Sequence, residues 1–262
     1  MPMQREVISD EVPPSPEVLR LVETMLGDGP FDLSLLVGAS DPAHAKARQE
    51  SAAALRESDW PNLGRYEALN AELVASGARP DVVFMGDSIT EIWPLADPDL
   101  FGPTHVGRGI SGQTSPQMLA RFWPDVIALK PGAVHLLCGT NDVAGNTGPT
   151  TPNRYKATVS AMVALAEASG VRVILGAVPP SGTMLWQPGF DPKPWIAESN
   201  EWLVGLARER GRAFVDYHAA LSDGAGAMRR DFSHDGVHPN RRGYGAMRQA
   251  LAPFVAGPAT AS

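Results

Sequence analysis

The 262-residue sequence contains a single cysteine and has neither a long apolar run nor a cluster of basic residues. Cys138 cannot form an internal disulfide, which is typical of proteins from a reducing compartment. No stretch approaches the ~20 apolar residues that a membrane span needs, and residues 1–10 lack the basic start and apolar core of a secretory signal. We therefore expect a cytoplasmic protein without a membrane span.

The charge distribution argues against nucleic acid as a partner. The chain has 22 basic and 29 acidic residues, a net charge of -7, and its basic residues form pairs such as Arg229-Arg230 rather than runs. Phosphate-binding loops are also missing, because Gly107-Arg108-Gly109 lacks both the later glycine of a dinucleotide fingerprint and the lysine of a P-loop. With 44% hydrophobic and 19% charged residues, the composition is that of a globular protein.

Apolar runs alternate with helical patterns from residue 81 onwards. Five runs predict strands: Val82–Met85, Thr104–Gly107, Ala133–Leu137, Val171–Ala177 and Ala213–Asp216. Four helices are predicted, with Thr151 and Asn240 as N-caps of the second and the last: Ser115–Leu129, Pro152–Ser169, Trp195–Glu209 and Arg241–Val255. Five buried strands that alternate with helices predict an α/β fold, in which helices cover both faces of a parallel sheet. A ligand should then bind beyond the carboxyl ends of the strands.

Residues 1–79 are predicted to form a helical N-terminal extension, which precedes a catalytic domain over residues 80–262. One helix should begin at Ser15-Pro16, a good N-cap and first turn, and end at Gly27. Two more are predicted over residues 43–57 and 63–74. No chemistry is visible in this part. We expect the extension to pack on the main domain or on a partner subunit, which would make the protein a homo-oligomer.

Four short segments carry the candidate chemistry. They are, in chain order, Gly86-Asp87-Ser88-Ile89, Ile110-Ser111-Gly112-Gln113, Gly139-Thr140-Asn141-Asp142 and Asp235-Gly236-Val237-His238. The first follows an apolar run directly, and a strand that ends in a sharp turn with a serine is a recurrent way to expose a nucleophile. Together the segments supply a serine, amide donors and an Asp/His pair. These are the groups that acyl transfer through a covalent intermediate requires.

In this order, the segments resemble the motif blocks of the SGNH hydrolases, also called the GDSL family of esterases and lipases. The resemblance covers roughly residues 80–256, and residues 59–66 resemble a stretch found just before the first block in part of that family. It implies a three-layer α/β/α domain with a five-stranded parallel sheet, the flavodoxin-like SGNH fold, and ester hydrolysis without a cofactor. Thr90 stands where the lipase elbow Gly-x-Ser-x-Gly has its second glycine, which argues against the α/β-hydrolase fold.

Ser88 is the predicted nucleophile, His238 the base and Asp235 the residue that orients the base. A serine hydroxyl needs a base within hydrogen-bonding reach. The short loop between Asp235 and His238 can turn the carboxylate onto one ring nitrogen and leave the other for Ser88. Each assignment has a simpler alternative. Asp87 and Ser88 could merely cap the helix that follows the strand, and Asp235 and His238 could merely cap the last helix.

The resemblance further implies an oxyanion hole, formed by the backbone N–H groups of Ser88 and Gly112 and by the side-chain amide of Asn141. Such donors stabilise the negative charge of a tetrahedral intermediate. From the sequence alone, Gly112 could equally be an ordinary turn glycine, and Asn141 a turn or cap residue. Asp142 is expected to hold the loop rather than to react.

The other histidines, the tryptophans and the cysteine are expected to be structural. His234 and His238 are four residues apart, as metal ligands on one helix can be, but a glycine and a proline break such a helix. No metal is expected, and His234 is interpreted as a surface neighbour. Four histidines have no motif context and are expected to be structural or exposed: His44, His105, His135 and His218. Trp93, Trp186 and Trp195 fit core positions better than a pocket, and Cys138 fits a buried strand. The proline-rich stretch over residues 179–194 is interpreted as a mobile lip over the site.

Taken with the resemblance, these residues predict a serine esterase that acts on short-chain carboxylic esters of small molecules or carbohydrates. A deacetylase of O-acetylated sugars, or an acyltransferase, would use the same site. A non-catalytic binding module on the same fold is the alternative from another class. The intact set of Ser88, Gly112, Asn141 and His238 argues against that module, since binding alone does not require all four.

Overall fold

The computed structural model describes residues 16–33, 50, 53–55, 57–147, 150–184 and 187–255. Their strands form one parallel sheet: β1 Val82–Gly86, β2 His105–Gly109, β3 Ala133–Leu137, β4 Arg172–Gly176 and β5 Ala213–Val215. The spatial order is β2-β1-β3-β4-β5. The chain therefore steps outward from β1 to β2 and then runs the other way from β3 to β5. This places a switch in strand order at the carboxyl ends of β1 and β3.

The helices connect and cover these strands. They are α1 Pro16–Leu26, α2 Glu67–Ala75, α3 Ser88–Ala96, α4 Ser115–Asp125, α5 Thr140–Val143, α6 Pro152–Ala168, α7 Lys193–Arg210, α8 Tyr217–Leu221 and α9 Arg241–Val255. None of the helices in the described part of the chain is long and apolar enough to cross a membrane.

Successive strand residues enter two separate apolar clusters, because side chains alternate between the two faces of a sheet. On one face, strand residues such as Val83 and Val134 pack in a cluster with Phe122 of α4, Met162 of α6 and Leu203 of α7. On the other face, residues such as Phe84 and Ile174 pack in a cluster with Leu26 of α1, Trp93 of α3 and Tyr244 of α9. Both faces are covered, which confirms the predicted three-layer α/β/α architecture.

Several predicted boundaries are wrong by a few residues. β2 starts and ends later than Thr104–Gly107, because Arg108 and Gly109 pair with the last residues of β1. The helix predicted as Ser115–Leu129 ends at Asp125, next to Pro124, whose missing N–H weakens the last turn. A short 3-10 helix, Ile127–Leu129, follows it. The helix predicted over residues 63–74 begins as a 3-10 helix, Leu63–Tyr66, and continues as α2.

The described part of the N-terminal region packs on the sheet domain. α1 ends where Gly27 predicts, and Leu26 is fully buried in the cluster that also contains Trp93. Arg241 of α9 forms an ion pair of 2.7 Å with Glu23 of α1. Most of the helix predicted over residues 43–57 lies outside the described residues, as do residues 1–10.

Candidate active site

Ser88, His238 and Asp235 form a continuous hydrogen-bonded chain. The hydroxyl oxygen of Ser88 lies 2.9 Å from Nε2 of His238, although the two residues are 150 positions apart. Nδ1 of the same ring lies 2.6 Å from Oδ2 of Asp235. A nucleophile, a base on one ring nitrogen and a carboxylate on the other are the arrangement that activates a serine.

The turn between β1 and α3 presents the serine. Gly86 ends β1 and fits there because a Cβ would lie 2.0 Å from the hydroxyl oxygen of Thr90. Asp87 is the N-cap of α3, since its Oδ1 accepts a hydrogen bond of 3.0 Å from the backbone N–H of Ile89. The capping alternative is therefore correct for Asp87. Ser88 is the first residue of α3, and its half-buried side chain hydrogen-bonds to His238 instead.

Asp235 fixes the loop that carries His238. Its Oδ1 accepts hydrogen bonds from the backbone N–H groups of Val237 and His238, at 2.9 and 2.8 Å, and from the hydroxyl of Ser233 at 3.0 Å. Oδ2 is thereby left for the imidazole. The last helix is capped by Asn240, as predicted, because the N–H of Gly243 donates to its side chain.

Burial and the neighbouring charges set opposite pKa shifts in this pair. Burial alone would raise the pKa of Asp235, but the adjacent imidazole and the donated N–H groups lower it to about 2. Burial alone would lower the pKa of His238, but the Asp235 carboxylate and its hydrogen bond raise it above the ordinary value. The carboxylate thus stays ionised and can stabilise an imidazolium.

The backbone N–H groups of Ser88 and Gly112 are available to a ligand, since neither hydrogen-bonds to another described residue. Gly112 has a φ of +78°, a left-handed conformation that favours glycine, and apart from its chain neighbours no described residue lies within 4 Å of where its Cβ would stand. Ser111 and Gln113 on either side are held in place: Glu91 accepts from the N–H of Ser111 at 2.8 Å, and Gln113 Oε1 accepts from Arg121 at 2.6 Å.

Asn141, in α5, bridges the serine turn and the Gly112 loop. Its side-chain amide donates to Oδ2 of Asp87 at 3.2 Å and to the carbonyl of Gln113 at 3.1 Å, while Asn146 donates to its carbonyl oxygen. Both amide hydrogens are therefore engaged, and a ligand oxygen would have to replace one of these bonds. Asp142 accepts from the backbone and hydroxyl of Ser115, as expected of a residue that holds the loop.

Burial raises the pKa of Asp87 to about 6, although the N–H of Ile89 and the nearby His238 act in the other direction. The carboxyl group is nearly inaccessible to solvent. The site thus contains a titratable carboxyl group besides Asp235, because Asp87 directly precedes Ser88 and accepts a hydrogen bond from Asn141.

Arg121 holds elements of the candidate site together, a role that the sequence analysis does not predict. Its side chain is fully buried. It donates to Gln113 at 2.6 Å, to Asp125 at 2.8 Å, and to the backbone carbonyls of Gly86 and Arg108 at 3.1 and 2.8 Å. It therefore joins the ends of β1 and β2 to the Gly112 loop. The one indication in the sequence is Asp125, because an acidic residue four positions after an arginine on a helix can form an ion pair with it.

His234 is not the simple surface neighbour that the sequence suggests. It is half-buried, its Nε2 lies 2.8 Å from the carbonyl oxygen of Gly27, and its ring stacks on Phe31 at 5.6 Å. Its side chain thus joins the N-terminal region to the loop that carries His238. The expected surface position is wrong because the chain beyond α1 covers this loop.

Other residues without motif context occupy structural positions. His135 is buried against Tyr217, and burial lowers its pKa to about 3. Burial raises the pKa of the Cys138 thiol, as expected of an inert core cysteine. Trp93 and Trp195 belong to the apolar clusters, whereas His44 and Trp186 lie outside the described residues.

The described residues contain no group of three His, Cys, Asp or Glu side chains with the placement of metal ligands. The predicted lip is described in part, and there Met184 is buried and Gln187 donates to the carbonyl of Ala144. Its mobility stays a prediction.

Comparison with known proteins extends this picture. Residues 84–246 match the family model of the GDSL-like lipases and acylhydrolases. No protein with a curated description matches the chain. Among solved structures, a candidate acylhydrolase from Bacteroides fragilis is 40% identical, with 75% of this chain and 97% of that chain covered and a TM-score of 0.71. A GDSL-like lipase from Bacteroides thetaiotaomicron is 36% identical, with 75% and 98% covered and a TM-score of 0.70.

A more distant neighbour shares the fold. It is a catalytic mutant of an acetylxylan esterase from Geobacillus stearothermophilus, 21% identical, with 68% of this chain and 94% of that chain covered and a TM-score of 0.56. The family model matches well over half of the chain, and the two Bacteroides structures are covered almost completely. The chain therefore belongs to the GDSL family of lipases and acylhydrolases, the SGNH hydrolases.

Proposed function

We propose that the protein is a serine esterase that hydrolyses carboxylic esters with short acyl chains through an acyl-enzyme intermediate. The observation that carries this proposal is the hydrogen-bonded chain from Ser88 through His238 to Asp235, with distances of 2.9 and 2.6 Å. A binding module would have no use for a serine hydroxyl aligned on a base that is itself oriented by a buried carboxylate.

In the proposed reaction, His238 takes the proton of Ser88 as the serine oxygen attacks the ester carbonyl. The imidazolium is stabilised by Asp235 and gives its proton to the departing alcohol, which leaves the acyl group on Ser88. Water then attacks this ester with His238 again as base, and the acid is released. The negative charge of each tetrahedral intermediate is stabilised by the N–H groups of Ser88 and Gly112 and by Asn141, which exchanges one of its present acceptors for the oxyanion.

A panel of p-nitrophenyl esters from acetate to palmitate tests the proposal. The wild type should hydrolyse the short esters with a higher kcat/KM than the long ones, and Ser88→Ala should lose this activity. Ser76→Ala is the matched control, because Ser76 is exposed on the surface after α2. Hydrolysis that survives in Ser88→Ala, or a wild type inactive on every ester, would contradict the proposal.

A further inference from the structure

The turn that ends α5 brings Asn146 back onto Asn141. Gly145 has a left-handed backbone, with a φ of +63°. Its N–H donates to the carbonyl of Asp142 at 3.1 Å, and the N–H of Asn146 donates to the backbone carbonyl of Asn141, also at 3.1 Å. These two bonds across a left-handed glycine define a Schellman motif. In this motif Asn146 lies next to Asn141, the third residue from the end of the helix.

The side chains of the two asparagines are joined as well. The side-chain amide of Asn146 donates to the side-chain carbonyl oxygen of Asn141. The amide nitrogen of Asn141 donates to Oδ2 of Asp87 at 3.2 Å and to the backbone carbonyl of Gln113 at 3.1 Å. Ionised carboxylates and backbone carbonyls only accept hydrogen bonds. The nitrogen of the Asn141 amide must therefore face Asp87 and Gln113, and its oxygen must face Asn146.

The turn that carries Asn146 is anchored at both ends. The hydroxyl of Thr147 lies 2.8 Å from the hydroxyl of Thr114, the residue that caps α4. The carbonyl of Ala144 accepts from the side-chain amide of Gln187. Asn146 itself is half-buried. Its side chain is thus held in place against Asn141 by the structure on either side.

The bond from Asn146 is the one that the proposed reaction leaves intact. When the oxyanion forms, the amide nitrogen of Asn141 exchanges one of its acceptors, Asp87 or Gln113, for the new negative charge. Asn146 bonds to the amide oxygen, which the oxyanion does not approach, so this contact continues to oppose rotation of the amide. A donor on that oxygen also polarises the amide, which makes its N–H groups stronger donors.

We propose that Asn146 is a positioning residue of the oxyanion hole, which holds the Asn141 amide with its nitrogen toward the forming oxyanion. The inference rests on the proposed esterase function and on the role of Asn141 in it. Asn146 acts through Asn141 and bonds to no reacting atom. Because its effect grows as the negative charge develops, it should contribute to kcat rather than to KM.

Substitutions of Asn146 test this proposal. Asn146→Asp keeps the shape but can only accept, so the Asn141 amide should turn and present its oxygen to the oxyanion. The kcat for p-nitrophenyl acetate should then fall by about 10²-fold, the size of the loss of one oxyanion donor, with KM little changed. Asn146→Ala removes the bond without repulsion and should lower kcat by about fivefold. Asn153→Asp, which adds the same charge at an exposed position of α6, is the matched control and should keep the wild-type kcat.

A double-mutant cycle separates positioning from a direct effect of the new charge or from a loss of fold. In the Asn141→Ala background no amide is left to turn, so adding Asn146→Asp should change kcat by no more than about twofold. An equal loss in both backgrounds would overturn the inference. So would a change confined to KM, which would make Asn146 a contact of the substrate, and so would a wild-type kcat in Asn141→Ala or in Asn146→Asp.

Inhibition by phenylboronic acid gives a readout without turnover, because a boronic acid forms a tetrahedral adduct with an activated serine. Its inhibition constant should rise by about the same factor as kcat falls in Asn146→Asp, and it should not change in Asn153→Asp. If Asn146→Asp melts far below the wild type, the same cycle with Asn146→Ala decides, with a fivefold effect that is lost in the Asn141→Ala background. A wild type that hydrolyses no p-nitrophenyl ester contradicts the esterase proposal itself, whereas an active wild type without this coupling contradicts only the role of Asn146.

Discussion

At the residue scale, the proposed mechanism depends on the protonation of His238. Only the neutral ring can accept a proton from Ser88, and the pKa of His238 is raised because Asp235 outweighs the effect of burial. We therefore expect kcat/KM to be low in acid, to reach half of its maximum above pH ~6.5, the ordinary histidine pKa, and to level off in mildly alkaline buffer. A pH–rate profile on p-nitrophenyl acetate measures this directly, and a maximum well below neutrality would contradict a histidine base.

His234 provides the control for that assignment, because it is close in sequence and has different contacts. His238→Ala should lower kcat by about 10³-fold or more, as removal of a triad base does. His234→Ala should keep most of the rate and instead lower the melting temperature, since its ring contacts Gly27 and Phe31. Reversed effects on kcat would mean that the base has been misassigned.

At the element scale, one buried arginine of α4 joins the ends of β1 and β2 to the loop that precedes α4. Arg121 satisfies two strand carbonyls, Gln113 and Asp125 at once. Asp125 in turn accepts from Asn70 of α2, and Asn70 accepts from Arg108. The turn that carries Ser88 and the loop that carries Gly112 therefore share a buried polar support.

Arg121→Met should expose the strength of this support. It removes one hydrogen-bond donor from each of three carbonyl oxygens and leaves the buried Asp125 carboxylate without its cation. We therefore expect a loss of about 3–5 kcal/mol in the free energy of unfolding. Urea denaturation measures the loss, and Arg208→Met, at an exposed position of α7, is the control. Equal stability of the two variants would mean that Arg121 does not support the site.

This network also shows which part of the structure the sequence could not predict. The strands, the helices and the pairing of His238 with Ser88 follow from apolar periodicity and from four local motifs. Arg121, Gln113 and the bond from Asn141 to Asp87 join residues 8 to 54 positions apart and have no periodic pattern. The conformation of residues 60–62 could not be predicted for a related reason, because the carbonyls of Trp60 and Pro61 accept from glutamines 57 and 52 positions away.

At the scale of the whole molecule, the N-terminal region is in contact with the catalytic part. α1 packs on α3 and α9 through Leu26 and the pair of Glu23 with Arg241, and Arg65 pairs with Glu91 at 3.0 Å. The sequence predicts helices in this region, but it does not show that they contact α3, the helix that begins with Ser88. The homo-oligomer expected through this region stays a prediction.

Leu26→Ala tests how far α1 contributes to the stability of the whole fold. The side chain is fully buried, so its truncation should cost about 2–5 kcal/mol and lower the melting temperature. Leu19→Ala, on the same helix but 41% exposed, is the control and should cost much less. If both variants melt like the wild type, α1 is not part of the cooperative unit.

The proposed mechanism requires that Ser88 becomes acylated. Mass spectrometry after treatment with a fluorophosphonate, which traps activated serines, tests it most directly. The wild type should carry one adduct on the peptide that contains Ser88, Ser88→Ala should carry none, and His238→Ala should react far more slowly because its serine is no longer activated. An active wild-type enzyme without label on Ser88, or with the label on another serine, would contradict this mechanism.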